Sequence, residues 1–346
     1  MTPSPRSYAA RDWIPARESF AAQPAALLAA PRVIAEQLAA VPPAAERVLV
    51  VGIGASYAAA ATGVHRLRAA GVDASRHLPG ELVAGRTGRE LVIAVSQSGR
   101  SAEVVELARD IPRDRLVTIT NYRPSPLGEL AGVDLGLGDH ADSAVSFLTF
   151  SATLLAFGML ADHWAGTLAV EHWEAEVRAA LSAAESAEPA LDDFAEVLAA
   201  APFIDFVAPA PIAAIAEEAA LVFREGPLVA ATGMETRLYL HGPMDVAGPG
   251  AHVIYGGRRE AVLVDQLAER TGNLLFLGTS PEAEPRAAGV TYAPLDVPTD
   301  EPVAAAVAGI ITAQYLALRT AEARGIDIDR PVFTRLDTKT STAAAS

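Results

Sequence analysis

The chain has 346 residues, no cysteine, and 42 acidic against 27 basic side chains, a formal net charge of −15. Its length accommodates two domains of ordinary size, and the lack of cysteine excludes disulfides, zinc–thiolate sites, iron–sulfur clusters and thiol nucleophiles. The acidic excess opposes nonspecific binding to nucleic acid or anionic lipid, so neither is expected as a partner.

In chain order, residues 1–40 read as helical packing or arm material. The first twenty lack the apolar centre of a signal peptide, which together with the absence of cysteine suits the cytoplasm. RVLVVGIGAS (47–56) is a short buried strand ending in a glycine turn, followed by a small-residue helix over 57–70. LVIAVSQSG (91–99) repeats that plan, with a helix from Ala102, and LVTITN (116–121) is a third strand. Residues 143–161 carry no charge over 19 positions, near the ~20 that span a bilayer. Ser143, Ser146, Thr149, Ser151 and Thr153 crowd the first half, so a helix buried against a sheet or subunit is expected, not a membrane span. An Ala- and acid-rich helix over 179–201 bridges to a restart of the plan. Strands are expected at 203–208, 253–257 and 274–278, helices at 212–225 and 303–324, and a polar tail from Gly325. Strands alternating with helices imply an α/β fold with parallel sheets, duplicated along the chain.

Ligands of open parallel sheets bind beyond the carboxyl ends of the strands. There the first half presents Gly54-Ala55-Ser56 and Ser96-Gln97-Ser98-Gly99-Arg100-Ser101. Each precedes a helix, where free N–H groups and serine hydroxyls can meet an anion. Either loop alone is equally an ordinary turn or N-cap. The two together, on successive strands, point to a phosphate site. No P-loop occurs, and Gly52-Ile53-Gly54 lacks the third glycine of a dinucleotide fingerprint because Tyr57 stands there. Pro209-Ala210-Pro211 follows the first strand of the second half, so a second phosphate site is not expected.

GIGASY, VSQSGRSAEVVELA and TITNYRPSPLGELAGVDLGL resemble the first module of the sugar isomerase (SIS) domain family. AIAEEAALVFRE followed by LYLHGP is similar to the second module in the isomerase half of glucosamine-6-phosphate synthase, and GIDIDRP resembles its C-terminal approach to the active site. The resemblance runs from about residue 48 to 340. It implies two tandem SIS modules, 41–180 binding phosphate and 181–330 bearing catalytic groups, with residues 331–346 as a C-terminal tail. By resemblance Gly54, Ala55, Ser56, Ser96, Gln97, Ser98 and Ser101 hold the sugar phosphate, and Ala144 and Ser146 line the other side of the sugar. Glu225 matches the carboxylate that moves a proton between C1 and C2, a task one carboxylate can perform in both directions. Glu218, two turns earlier on the same helix face, matches a second active-site carboxylate. His241 matches the ring-opening imidazole that the neighbouring subunit contributes in a homodimer. Without the resemblance, Glu225 reads as a solvated helix end before Gly226-Pro227, and His241 as a turn residue.

Some positions depart from the pattern. Ala55 stands where Thr is common, Val222 where the synthase has a lysine, and Leu336 where the family has a C-terminal lysine. Arg335 cannot serve as a Schiff-base amine because it stays protonated, whereas Lys339 can. The glutaminase half is absent from the 346 residues, so the resemblance implies an amino sugar phosphate deaminase or isomerase working with water, related to stand-alone glucosamine-6-phosphate deaminases. No cofactor or metal is implied. The alternative is a non-catalytic phosphosugar sensor, which the missing lysines favour; a nucleotide-dependent dehydrogenase ranks behind both.

Overall fold

Val48 and Val50 face one way from their strand and Leu49 and Val51 the other, and all four are buried. A strand buried on both faces sits inside a layered α/β structure. In the computed structural model, which describes residues 12–82, 88–297, 301–333 and 338–340, two such layers occur. The first is a parallel sheet of β1 (Val48–Val51), β2 (Ala74–His77), β3 (Leu91–Ser96), β4 (Leu116–Thr120) and β5 (Val133–Gly136), in the order β2-β1-β3-β4-β5. The second is a parallel sheet of β6 (Ile204–Ala208), β7 (Ala231–Glu235), β8 (Ala251–Gly256), β9 (Leu274–Gly278) and β10 (Thr291–Pro294), in the order β7-β6-β8-β9-β10. The two orders are the same, so the expected duplication holds at the level of topology.

Between the sheets lie α1 (Ala16–Leu38), α2 (Ala55–Ala69), α5 (Phe147–Ala165), α6 (Val170–Ala200), α7 (Ala213–Glu225) and α10 (Pro302–Ala323). One continuous apolar cluster joins Val48, Val50 and Ile93 of the first sheet to Phe206, Val253 and Tyr255 of the second through Phe157, Trp173, Phe223 and Leu316. The division at residue 180 falls inside α6, a single unbroken helix. The outer faces carry separate clusters. Leu49, Val51 and Val92 pack with Val104 and Val105 of α3 (Ala102–Arg109), near the short α4 (Pro126–Leu130). Val207, Ile254 and Phe276 pack with Tyr239 of α8 (Thr236–Leu240) and Val264 of α9 (Arg258–Leu267).

The uncharged stretch forms α5, buried from Phe147 to Asp162, as its serines and threonines suggested. Among the described residues α10 is the one helix long and apolar enough to cross a bilayer by composition, and 83% of its most apolar window is buried within the protein. The sequence reading missed β2, β5, β7 and β10. Each is four or five residues long and only partly buried. Three of them are outermost in their sheets and β10 closes the other edge of the second, so none shows the continuous apolar run of a central strand.

Candidate active site

The turn after β3 is built by its own residues. Ser96 ends the strand 1% exposed, and its Oγ lies 3.0 Å from that of Ser101, the residue that opens α3. Gly99 N–H donates back to Ser96 O at 3.0 Å. Gly99 has φ of 60°, and a Cβ there would stand 2.1 Å from Ser125 Oγ, so both conformation and space require glycine. Gln97 carbonyl accepts from Asn121 N–H at 2.9 Å and Tyr122 N–H at 3.2 Å, tying the loop to the end of β4. Ser98 is half-buried at the crest. The neighbouring loop brings Gly54, at φ of 57°, to the start of α2, whose first turn holds Ala55 and the half-buried Ser56. Gly52 is held small because a Cβ would meet the Ser56 backbone at 2.9 Å.

A residue outside the expected set connects these parts. Asp142 is fully buried and its carboxylate accepts from Ser19 Oγ (2.6 Å), Gln97 Nε2 (3.1 Å) and the N–H groups of Ser143 (2.8 Å), Leu148 (3.2 Å) and Thr149 (2.9 Å). It thereby caps α5, whose preceding residue Ser146 adopts left-handed φ, ψ of 56°, 55° without a capping bond of its own. That conformation is uncommon for a residue with a Cβ and clusters at functional sites. Ala144 is half-buried in the same loop. Asn121 fixes the loop further, donating to His140 O at 2.7 Å and accepting from His140 N–H at 3.0 Å. The sequence carried one sign of Asp142, the last acid before an uncharged run.

From the other half, α7 packs against α2, with Leu221 facing Gly54. Glu218 on α7 is 1% exposed and its Oε2 has no hydrogen-bond partner among the described residues. Burial holds its carboxyl well above the usual carboxylate range, and the negative charges of Glu225, Asp142 and Glu217 push it the same way. Those influences place the two expected carboxylates and Asp142 in one electrostatic neighbourhood. Glu225 is half-buried at the last position of α7. There Gly226 N–H bonds Val222 O at 2.8 Å, and Ile328 of the GIDIDRP segment packs so closely that a Cβ on Gly226 would lie 2.8 Å from it. Val222 is buried in the core at 1% exposure.

The tail returns to the serine loop. Ala102 N–H donates to Thr338 O at 3.2 Å, Thr340 N–H to Arg100 O at 2.9 Å, and Arg100 Nη2 to Thr340 O at 2.8 Å. These contacts lay Lys339 beside Ser101, with Nζ 3.3 Å from Ser98 Oγ. Its ammonium therefore sits on the phosphate end of the expected site. Arg335 and Leu336 lie outside the described residues. His241 ends α8 exposed, and no hydrogen bond or ion pair joins it to these groups among the described residues.

Residues 44–162 match the family model of the SIS domain. The segment is a SIS domain. It runs from the approach to β1 to the last turn of α5, so it holds the serine loop, Asp142 and Ser146, while Glu218, Glu225 and His241 lie beyond it. The chain is also similar to glutamine–fructose-6-phosphate aminotransferase (isomerizing) of Gloeobacter violaceus, 27% identical over 318 residues, 83% of this chain and 50% of that protein. The same enzyme of Synechocystis is 26% identical over 326 residues, again 83% and 50%. The chain thus spans about half the length of the curated relatives it matches. Among solved structures, the C-terminal domain of the Francisella tularensis glucosamine-fructose-6-phosphate aminotransferase superposes with a TM-score of 0.79 at 18% identity, covering 91% of this chain and 98% of that one. Thermotoga maritima glucosamine-6-phosphate deaminase gives 0.73 at 20% identity, covering 94% and 99%. Escherichia coli tagatose-6-phosphate ketose/aldose isomerase gives 0.75 at 16% identity, covering 93% and 98%. All three share the arrangement of the SIS domain and the second sheet beside it.

Proposed function

We propose that the chain is a phosphosugar aldose–ketose isomerase or deaminase, which converts an amino sugar phosphate of the glucosamine-6-phosphate type into a ketose phosphate and ammonia. One observation carries this reading: Asp142, bonded by the serine loop, bears a charge that acts on the carboxylate pair of α7. Gln97 of the loop donates to Asp142, and Asp142 acts on the buried Glu218 one turn-pair from Glu225. A phosphate on Ser56, Ser96, Ser98 and Ser101 would then direct the sugar carbons toward α7.

In this reading Glu225 takes the C2 proton of the open-chain sugar and returns it to C1, leaving an imine at C2. Water adds to that carbon and ammonia leaves, which balances the conversion to the ketose. Negative charge builds along C1 and C2 as the proton leaves, and a second carboxylate charge there would oppose it. Burial and the neighbouring negative charges favour the neutral form of Glu218, which suits it to this place. Lys339, at Ser98, is assigned to neutralising the phosphate rather than to the carbonyl. The exposed position of His241 supports its use by the site of a second copy, in a homodimer.

The test is direct. Purified protein is incubated with glucosamine-6-phosphate for ammonia release and with hexose 6-phosphates for isomerisation; no turnover of any of them refutes the reading. Glu225→Gln should keep sugar phosphate binding and lose turnover by ~10²–10⁴-fold; full activity removes Glu225 from the mechanism. The buried Val222, where a lysine stands in the synthase, favours a sensor as the second reading. Thermal stabilisation by sugar phosphates without chemistry on any of them would select it.

A further inference from the structure

The second sheet carries a buried polar cluster on its outer face, apart from the serine loop and α7. Asp205 on β6 is flanked in register by Thr232 on β7 and His252 on β8, so the three side chains share one face. Tyr239 descends on them from α8. Tyr239 and His252 are fully buried and Asp205 is 4% exposed, walled by Val207, Ile254 and Phe276. Thr232 Oγ1 bonds Asp205 Oδ1. Tyr239 Oη lies 3.4 Å from Asp205 Oδ2 and 3.1 Å from His252 Nδ1, and that nitrogen is 3.3 Å from the same Oδ2. With the proton on Nδ1, the imidazole donates to Tyr239 Oη, and the phenol and the threonine donate to the carboxylate. His252 Nε2 then presents only a lone pair, and it is the ring nitrogen without a partner among the described residues.

Such a cluster is costly to bury, and well-packed apolar side chains often serve stability as well or better. What hydrogen bonds add over apolar contact is direction, hence one seat for the element that brings them. That element is α8. Its five residues are too few for a helix to hold itself in water. It is fastened at one end by the Glu235 carboxylate, which accepts from Arg237 N–H at 2.8 Å and Leu238 N–H at 3.2 Å. At the other end Tyr239 is its one fully buried side chain, with Leu240 half-buried against the same apolar cluster, while Leu238 is 60% exposed and His241 is exposed too.

We infer that Asp205, His252 and Tyr239 are positioning residues, whose buried hydrogen bonds fix the seat of α8 and so the placement of His241 two residues on. The catalytic value of that placement rests on the proposed function; the seating itself does not.

Tyr239→Phe keeps the packed ring and removes the hydroxyl, and the experiment reads two quantities in the full-length protein. Hydrogen exchange by mass spectrometry should show faster exchange at 236–241 in Tyr239→Phe, with β8 and α9 unchanged. Unchanged exchange at 236–241, or faster exchange throughout the second sheet, overturns the seating. In the sugar phosphate assay Tyr239→Phe should lower kcat about fivefold to tenfold, the worth of one hydrogen bond, at unchanged KM. In a His241→Gln background the same substitution should lower kcat no further. An equal fall in both backgrounds means general loosening and refutes positioning through His241. Faster exchange at 236–241 beside a fully active His241→Gln variant upholds the seat and refutes the role given to His241, so the two failures are told apart.

Discussion

Glu218→Gln should change the way stability depends on pH. In the folded chain burial, then Glu225, Asp142 and Glu217, hold the Glu218 carboxyl well above its ordinary value of 4.5. The unfolded chain releases that proton near the ordinary value. Above it the native state binds one proton more than the unfolded state, so stability falls as pH rises until the folded carboxyl itself titrates. The slope of that fall is at most ~1.4 kcal/mol per pH unit for one fully retained proton. Glu218 is 1% exposed, so solvent screening removes little of it. Glutamine matches the neutral carboxyl in shape and cannot ionise. It places an NH₂ near a position whose oxygen has no partner, a cost of ~1–3 kcal/mol that does not vary with pH. Urea unfolding of both proteins from pH 5 to 8 isolates the slope of Glu218 and the carboxylates coupled to it, because groups that do not interact with Glu218 titrate alike in the two. The stability of Glu218→Gln relative to the parent should rise with pH, from a deficit or parity near pH 5. A difference that stays flat across that window would refute a retained proton on Glu218, and with it the division of labour between the carboxylates.

Gly99→Ala places a Cβ at left-handed φ and 2.1 Å from Ser125 Oγ, so it should cost at least ~1–2 kcal/mol of stability and weaken sugar phosphate binding together; thermal melts with and without ligand check both. Lys339→Ala removes an exposed ammonium at Ser98, so KM for a sugar phosphate should rise several-fold, as expected of ~1 kcal/mol, with kcat little changed. Borohydride added during turnover should leave no sugar on Lys339, and a covalent tag there would show instead that the amine reaches the carbonyl.

Much of the fold was legible because central strands and buried helices write their burial into composition. VLVV and LVIAVS are apolar on both faces, and α5 carries no charged residue before Asp162, so each was read as it stands. The edge strands were not, since ASRH and VDLG bury part of their surface and lack a periodic signal. The α9 segment carries buried Ala261, Val264 and Leu267 on one face, but the charged Arg258, Arg259, Glu260 and Asp265 between and before them mask that signal.

What the sequence determined alone is local chemistry. A serine-rich turn after a buried strand is a turn wherever it lies, because Gly99 permits its φ and Ser96 and Ser101 close it within six residues. What only the tertiary structure decided is which distant groups share a dielectric. Asp142 joins Ser19, Gln97 and the start of α5 across more than a hundred positions of chain. The Glu218 carboxyl is raised because α7 from the second half is buried against the first, and Lys339 reaches Ser98 across a separation of 241 residues. Burial and charge act through space, so no spacing along the chain could have announced them.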